Sequence, residues 1–393
     1  MRMAISDIFK PMNLKSIAAI MLLVLLAACA SAPKKPAWVS GKAKAFPDAQ
    51  YFATVGKAPL SGKPADAQSQ ADQAAISQIK SLLQAQIKSN LASETNSALA
   101  GLGPDRIEKY GQLIKEEVNA SLELEKIGIA DRFCDQKNGS CYALAMLDRK
   151  KDGEMLLAKL NDLDLELADL NAREHESLIA RDPLAALGYL VRAEKILAQE
   201  IGVRAQYSAI SAAAFPAKYS FADLIREQER VKSSVTIMVF AYTDAPGKKS
   251  GNLIEQYLIE GLDPLGFSAF PAPAELKNKG ASQIKALLLS GKLNPTPAPV
   301  YVLLASFSTK KIGESRQGGV VFQVYRTGGE LYLFDVNIRS SLISMFDAAP
   351  EATKAQDLRA DRAAAQSLNQ AGEYFSELWL EILNQRFLKP ESK

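Results

Sequence analysis

The feature that most constrains this chain is an uncharged, apolar run over residues 17–28 that ends directly before Cys29. A run of about a dozen residues matches the core of a secretory signal peptide and falls short of the roughly 20 that a membrane-spanning helix needs. Lys15 precedes the run as its positive flank, and small residues precede the cysteine, as a processing site requires. We therefore expect residues 1–28 to be a signal peptide that takes no part in the fold.

The stretch Leu26-Ala27-Ala28-Cys29 resembles a bacterial lipobox. In lipoproteins with this motif the cysteine thiol receives a diacylglycerol, the chain is cut before the cysteine, and a fatty acid such as palmitate acylates the new N-terminus. The resemblance implies that Cys29 is a lipidation site, because several acyl chains on one residue make a durable anchor. An ordinary secretory signal with an incidental cysteine is the alternative.

The residues after Cys29 bear on its destination. Ala30 and Ser31 follow it, without the aspartate that suggests retention at the inner membrane. By resemblance to sorted lipoproteins, this favours the outer membrane, with the protein facing the periplasm. Residues 29–37 then form a lipidated tether that is rich in proline and lysine and is expected to be extended. The sequence leaves open whether translation starts at Met1 or Met12.

Composition bounds the remaining chain. Without residues 1–28 it has 365 residues and a net charge of about +1 at neutral pH, which provides no global electrostatic case for nucleic acid. The length suits two domains, and no second long apolar run follows.

Two further cysteines, Cys134 and Cys141, flank the hairpin-turn dipeptide Asn138-Gly139. Because an exported protein enters an oxidising compartment, the spacing favours a disulfide that clamps a hairpin. Zinc binding is the alternative, but the single histidine, His175, is distant in sequence.

Residues 38–152 read as an α+β domain. A strand is expected over residues 50–55, a long helix from Ala65 to about Ser89, a second helix that opens at Pro104, and then the cysteine hairpin. This order predicts a three-stranded sheet with both helices on one face.

The segments "YFATVG", "ADAQSQADQAAISQI" and "CYALAMLDR" of this domain resemble the LPP-type outer-membrane lipoproteins, over about residues 36–152. They are similar also to the N-terminal domain of a flagellar assembly protein of the outer-membrane ring. The resemblance implies an anchored envelope protein without catalysis. Lys57-Ala58 departs from the glycine pattern that usually follows "VG" in this family.

Residues 153–210 carry leucines at helical spacing on both sides of Asp182-Pro183, which predicts a connector made of a helical hairpin. Residues 211–393 then read as a mixed α/β domain: alternating strands and helices, a hairpin with Gly328-Gly329 in its turn, and a closing helix over about residues 355–388.

The order of elements in residues 211–393 resembles the domain of the curli-secretion lipoprotein and of the lipoprotein activators of peptidoglycan synthases. Altogether the fold class is α+β, with two small mixed-sheet domains joined by a helical hairpin and preceded by a lipoprotein signal peptide.

Candidates for chemistry are few. His175 stands among charged residues on a helix and is expected to face solvent, and the acidic residues of "DLDLELADL" read as the wet face of the same helix. "GKKSGN", which contains Lys248 and Lys249, could bind an anion ahead of a helix, but it lacks the earlier glycine of a phosphate loop. "STKKIGESRQGG" reads as a polar connection with Lys310, Lys311 and Arg316.

These observations predict a protein that is not an enzyme and needs no cofactor or metal. It would be a scaffold or assembly factor for a flagellar or secretion-type complex, held to the membrane by its lipid and in contact with other envelope proteins. A regulator of a peptidoglycan synthase and a subunit of an outer-membrane secretion channel are the alternatives, and a homo-oligomer stays open.

Overall fold

A computed structural model describes most of the chain from residue 34 onward. The described residues are 34–40, 46–121, 127–244, 251–293, 297–348 and 350–388. They divide into two compact units, one formed by the described residues up to 85 with 127–152, and the other by 86–121 with 153–388. Each unit combines helices with a sheet, so the predicted mixed helix-and-sheet class is confirmed.

The first unit is built on a three-stranded antiparallel sheet. Its strands are β1 (Tyr51–Pro59), β2 (Gly128–Asp135) and β3 (Ser140–Asp148), in the order β1-β3-β2. The helix α1 (Pro64–Ala98) starts in this unit. A short 3₁₀ turn, Ala37–Ser40, precedes the sheet.

Close packing of α1 on β1 follows from small side chains. Ala71 and Ala75 are fully buried, and a methyl group added at Gly56 would lie 2.1 Å from the carbonyl oxygen of Ala71. Thr54 Oγ1 donates a hydrogen bond to the carbonyl oxygen of Ala75 at 2.8 Å. The alanine stripe therefore lets the helix backbone approach the strand.

Four helices precede the sheet of the second unit in sequence. Beyond the end of α1 these are α2 (Pro104–Ser121), α3 (Arg149–Ile179), α4 (Pro183–Ser211) and α5 (Phe221–Ser234). The predicted helical hairpin corresponds to α3 and α4. Asp182 caps α4 by accepting a hydrogen bond from the backbone N–H of Ala185 at 3.0 Å, and Pro183 occupies the first turn.

The packing of α2 differs from the expectation that it covers the first sheet. Its buried stripe, Tyr110, Ile114 and Val118, belongs to one apolar cluster with residues of α3, α4 and α5, among them Leu167 and Leu197. The spacing of apolar residues predicts that a helix has an apolar face, but it does not predict which surface that face packs against.

A mixed sheet forms the rest of the second unit. Its strands are β4 (Thr236–Thr243), β5 (Ser268–Pro271), β6 (Tyr301–Gln317), β7 (Val320–Asp335), β8 (Ser340–Asp347) and β9 (Ala355–Asp357). The order is β5-β4-β6-β7-β8, with β9 beside β7; β4 is parallel to β5 and β6, and the other pairs are antiparallel.

Helices α6 (Gly251–Glu260), α7 (Ala274–Lys277), α8 (Ala281–Leu289) and α9 (Ala360–Leu383) accompany this sheet. The closing helix therefore begins five residues after the expected start, because Ala355–Asp357 pairs as β9. Trp379 and Phe375 of α9 are buried in the core with Tyr301 and Phe307 of β6, and Leu187 of α4 joins the same core.

The long hairpin turns at a place different from the predicted one. The β6–β7 turn is formed by Gly318 and Gly319, both with positive φ. The rest of "STKKIGESRQGG", residues 308–317, is the outer part of β6 rather than a connection. Gly328 and Gly329 lie inside β7. A methyl group at Gly329 would lie 2.8 Å from ring carbons of Phe307, so the pair serves close packing.

Candidate functional site

The predicted lipidation site, Cys29, lies outside the described residues, so its modification stays a prediction. The chain after it is attached to the first sheet at Trp38, which is 8% exposed. The Trp38 indole Nε1 donates a hydrogen bond of 2.8 Å to Asp131 Oδ2 on β2, and its ring packs in a small apolar cluster with Tyr142 and Leu144 of β3.

Cys134 and Cys141 form a disulfide between directly opposed positions of β2 and β3, with their Cα atoms 4.0 Å apart. In the turn, Asp135 accepts hydrogen bonds from the side chain and the backbone N–H of Asn138. These bonds, the side-chain one above all, lower the pKa of the Asp135 carboxyl. With both sulfur atoms bonded to each other, neither is available as a thiolate for zinc.

A cavity of about 410 Å³ lies within the helical part of the second unit. Its walls are provided by α3, by α4, by the segment before α5, and by α5 itself. His175 is exposed, as predicted, and lines this cavity beside Glu174. We call this space the helical cavity.

Glu174 is the most buried charged group that lines the helical cavity, with 3% of its surface exposed. Burial and the neighbouring Glu227 carboxylate raise the pKa of Glu174. Arg230 donates hydrogen bonds to both oxygens of Glu227, which lowers the pKa of Glu227. This environment therefore disfavours the ionised form of Glu174 and favours the ionised form of Glu227.

A second group of charges adjoins the cavity wall. Lys218 Nζ, which lines the cavity, lies 2.7 Å from Oδ2 of the buried Asp164. Arg204 is buried with its Nη1 atom 3.6 Å from Glu200 Oε1 and its Nε atom 3.4 Å from Glu94 Oε2. Burial raises the pKa of Glu200 to about 7, against the opposing effect of Arg204.

The other sequence-derived candidates do not converge on this cavity. Lys248 and Lys249 lie outside the described residues, and Lys310, Lys311 and Arg316 are exposed on β6. The interpretation of "DLDLELADL" as a wholly wet face is wrong for Asp164, which is buried. Across the ranges that the structure describes, histidine, cysteine and carboxylate side chains form no group of three that could hold a metal ion.

Sequence reasoning missed Glu174, although a signal for it exists. The leucines of α3 at positions 160, 163, 167 and 170 form the buried stripe, and position 174 is the next member of the same series. A glutamate on the apolar face of a helix indicates a buried carboxyl. Glu194 and Glu200 interrupt the apolar stripe of α4 in the same way.

None of the helices within the described ranges combines the length and the apolar character that a membrane crossing requires.

Comparisons with known proteins leave the chain without an assigned family. No family model matches it, and no curated protein matches it. Among solved structures, the lipoprotein GNA1162 from Neisseria meningitidis is 17% identical, over 38% of this chain and 99% of that chain, with a TM-score of 0.24.

Two further solved structures are similar at the same level. The PelC dodecamer from Paraburkholderia phytofirmans is 13% identical, over 37% of this chain and 86% of that chain, with a TM-score of 0.22. The secreted protein HP1454 from Helicobacter pylori is 12% identical, over 84% of this chain and 97% of that chain, with a TM-score of 0.23. TM-scores this low assign neither a fold family nor a function.

Proposed function

We propose that this chain is a lipid-anchored protein of the bacterial envelope, held at the outer membrane through Cys29 and facing the periplasm. It acts without catalysis, as a scaffold or assembly factor for a surface or envelope complex. The lipobox-like segment supports the anchor, and the Cys134–Cys141 disulfide supports an oxidising compartment. The resemblance of residues 36–152 to LPP-type lipoproteins supports the same setting.

The observation that carries the scaffold role is the outer end of the β6–β7 hairpin, residues 310–322, which we call the distal ribbon. β4 pairs with β6 only as far as Phe307, and no strand of the described residues continues along that edge of β6. Ile312 and Val320 of the distal ribbon are 46% and 43% exposed, and Lys310 and Arg316 are exposed with them.

Exposed apolar and basic side chains on a projecting ribbon suit contact with another protein, since interfaces combine apolar area with arginine. The bulge between Lys311 and Gly313 interrupts the strand edge, and edge lysines oppose unspecific strand pairing. The partner is therefore expected to contact side chains of the ribbon rather than add a strand to it.

The anchor is tested by mass spectrometry of the N-terminal peptide from wild-type protein and from Cys29→Ser, together with membrane fractionation. We expect lipid mass on a peptide that begins at Cys29 in the wild type, and release of Cys29→Ser from the membrane. A full-length wild-type protein in the cytosol, without lipid mass, would contradict the anchor.

The scaffold role is tested by crosslinking in whole envelopes and identifying the captured proteins. Lys310→Glu/Arg316→Glu reverses charge on the distal ribbon, and Lys80→Glu/Lys159→Glu makes the same change at exposed positions on α1 and α3. We expect flagellar or secretion components with the wild type and the control, and their loss with the ribbon variant.

Other outcomes of the crosslinking would redirect the assignment. Specific capture of a transpeptidase would favour regulation of a peptidoglycan synthase, and a ring seen in detergent extracts would favour a secretion channel. Capture that is the same for the ribbon variant as for the wild type would contradict a role for the distal ribbon.

A further inference from the structure

The carboxyl groups that line the helical cavity differ in their charged partners. Three carboxyl groups line it in the described part of the chain, and two of them have their own basic partner. Asp223 pairs with Arg226 at 3.2 Å, and Glu227 pairs with Arg230. The strongest charged neighbour of Glu174 is instead another carboxyl, Glu227, and Arg230 and His175 oppose its effect more weakly.

Glu174 shares a hydrogen bond with Glu227, and its remaining hydrogen-bonding capacity is unsatisfied. It is 3% exposed, and its Oε1 atom has no hydrogen-bond partner among the described residues. A buried polar atom without a partner is rare in folded proteins and calls for a group that satisfies it. Because Glu174 lines the helical cavity, a bound molecule can supply that group.

The chemistry of the missing group follows from the carboxyl pair. A ligand atom placed between Glu174 and Glu227 has to donate hydrogen bonds and carry positive charge, because two adjacent carboxylates repel each other. A primary ammonium group has three N–H donors and no acceptor, so it meets both requirements.

The opposite charge is available around the same cavity. Lys218 and Arg226 are exposed and line it, where Lys218 pairs with Asp164 and Arg226 pairs with Asp223. An ammonium group has three N–H donors and a guanidinium group has five, so each can bind a ligand carboxylate beside its present partner. Leu190 and Leu224 add an apolar wall. A volume of about 410 Å³ lies in the lower part of the range of small-molecule pockets.

We propose that the helical cavity binds a small zwitterion, a free amino acid or a short peptide, with its ammonium group on Glu174 and Glu227 and its carboxylate toward Lys218 and Arg226. This site is independent of the proposed anchor and scaffold role, because the residues that form it belong to the helical part of the second unit.

The test is isothermal titration of the purified full-length protein in detergent with three probes. L-Leucine and L-leucylglycine carry both charges and differ in size, whereas N-acetyl-L-leucine lacks the ammonium group. We expect saturable binding of at least one zwitterion and no binding of the acetylated probe. The tighter of the two zwitterions identifies a free amino acid or a peptide as the ligand type.

Glu174→Gln keeps the size of the side chain and removes its ability to ionise, so we expect at least a tenfold loss of affinity for the zwitterion that binds. Glu176→Gln is the matched control, since Glu176 is exposed on the same helix, and it should bind as the wild type does. Thermal unfolding of both variants establishes that they are folded.

The proposal is overturned if neither zwitterion binds the wild type, if N-acetyl-L-leucine binds equally well, or if Glu174→Gln retains wild-type affinity while folded. None of these results affects the test of the lipid anchor or of the distal ribbon, so failure here is distinguishable from failure of the proposed function.

Discussion

At the scale of single residues, two buried glutamates of α4 illustrate different solutions to burying a charge. Glu194 accepts hydrogen bonds from the hydroxyl of Tyr110 and from Gln228 Nε2, the latter at 2.9 Å. Glu200 is fully buried, and neither of its oxygens has a hydrogen-bond partner in the described chain. Arg204 at 3.6 Å compensates only in part, so burial dominates the pKa of Glu200.

Because Glu200 is buried, we expect the stability of the protein to fall as pH rises. Its pKa rises from 4.5 to about 7 on folding, so between these pH values the folded state binds more protons than the unfolded state. The free energy of unfolding therefore falls as pH rises through this window, by up to about 3 kcal/mol. Glu200→Gln should remove this dependence and be more stable than wild type at pH 8, with little difference at pH 4.

Urea denaturation between pH 4 and pH 8 checks this expectation. Glu166→Gln, an exposed change on α3, is the control and should follow the wild-type profile. Parallel profiles for wild type and Glu200→Gln would show that Glu200 does not titrate in this range.

We expect Gly329→Ala to destabilise the fold strongly, although it adds only one methyl group. In Gly329→Ala the new Cβ atom would lie 2.8 Å from Phe307 and 3.0 Å from Phe375, whose rings pack edge to face at 5.3 Å between centroids. Because both rings are buried in the core, we expect the free energy of unfolding to fall by about 1–3 kcal/mol.

Gly313→Ala is the matched comparison for Gly329→Ala. Gly313 also lies in a long strand, but apart from the adjacent residues no described atom lies within 4 Å of the position of its added Cβ. Its substitution should change stability by less than about 0.5 kcal/mol in the same urea titration. Equal losses for the two variants would contradict close packing at Gly329.

At the scale of elements, the cysteine hairpin and the β6–β7 hairpin show what sequence signals can decide. Asn138-Gly139 lies between two cysteines and two strand-like segments, and these signals agree, so the hairpin was predictable. Gly328-Gly329 also indicated a turn, but both residues lie inside β7. A glycine pair can serve a turn or a close approach, and only the position of Phe307 and Phe375 decides between them.

The disulfide predicts a stability difference that depends on redox conditions. Closing a loop with a sequence separation of 7 is expected to stabilise the first unit by about 2.5 kcal/mol in the chain-entropy model. Cys134→Ser/Cys141→Ser should therefore unfold at lower urea concentration than wild type, and a reductant should bring the wild type close to the variant.

The same reductant should leave the double variant unchanged, which controls for effects elsewhere in the chain. Non-reducing peptide mapping should recover the peptides of Cys134 and Cys141 joined together. Recovery of both as free thiols would contradict the disulfide.

At the scale of the whole molecule, the division into units does not follow the order of the chain. Residues 86–121 belong with 153–388, although the strands of the first unit flank them in sequence. The sequence shows that α2 has an apolar stripe and stands between the predicted strands of the first sheet. This position favoured its placement on that sheet. The apolar surface that it meets is assembled from α3, α4 and α5, which are distant in sequence.

This organisation predicts which regions respond to a change in α2. Ile114→Ala removes a buried side chain from the cluster that contains Leu197 of α4 and Ile225 of α5. Truncation of a buried isoleucine costs about 2–5 kcal/mol. Hydrogen exchange measured by mass spectrometry should therefore become faster in α4 and α5, with β1, β2 and β3 unaffected.

Gly56→Ala is the reciprocal variant. Its added methyl group would lie 2.1 Å from the carbonyl oxygen of Ala71 in the first unit, so exchange should become faster in β1 and the start of α1. Faster exchange in β1–β3 with Ile114→Ala would place α2 with the first unit and contradict the division.

The attachment of Trp38 to the first sheet has a consequence for reach. Trp38 stands nine positions after Cys29, and nine residue steps of polypeptide span at most about 30 Å however they are arranged. If acyl chains hold Cys29 in a bilayer, the segment between Cys29 and Trp38 keeps the indole within that distance of the lipid surface. Insertion of flexible residues between Cys29 and Trp38 would lengthen this segment without changing the folded part. The longest insertion that keeps function would measure how far from the membrane the protein can act.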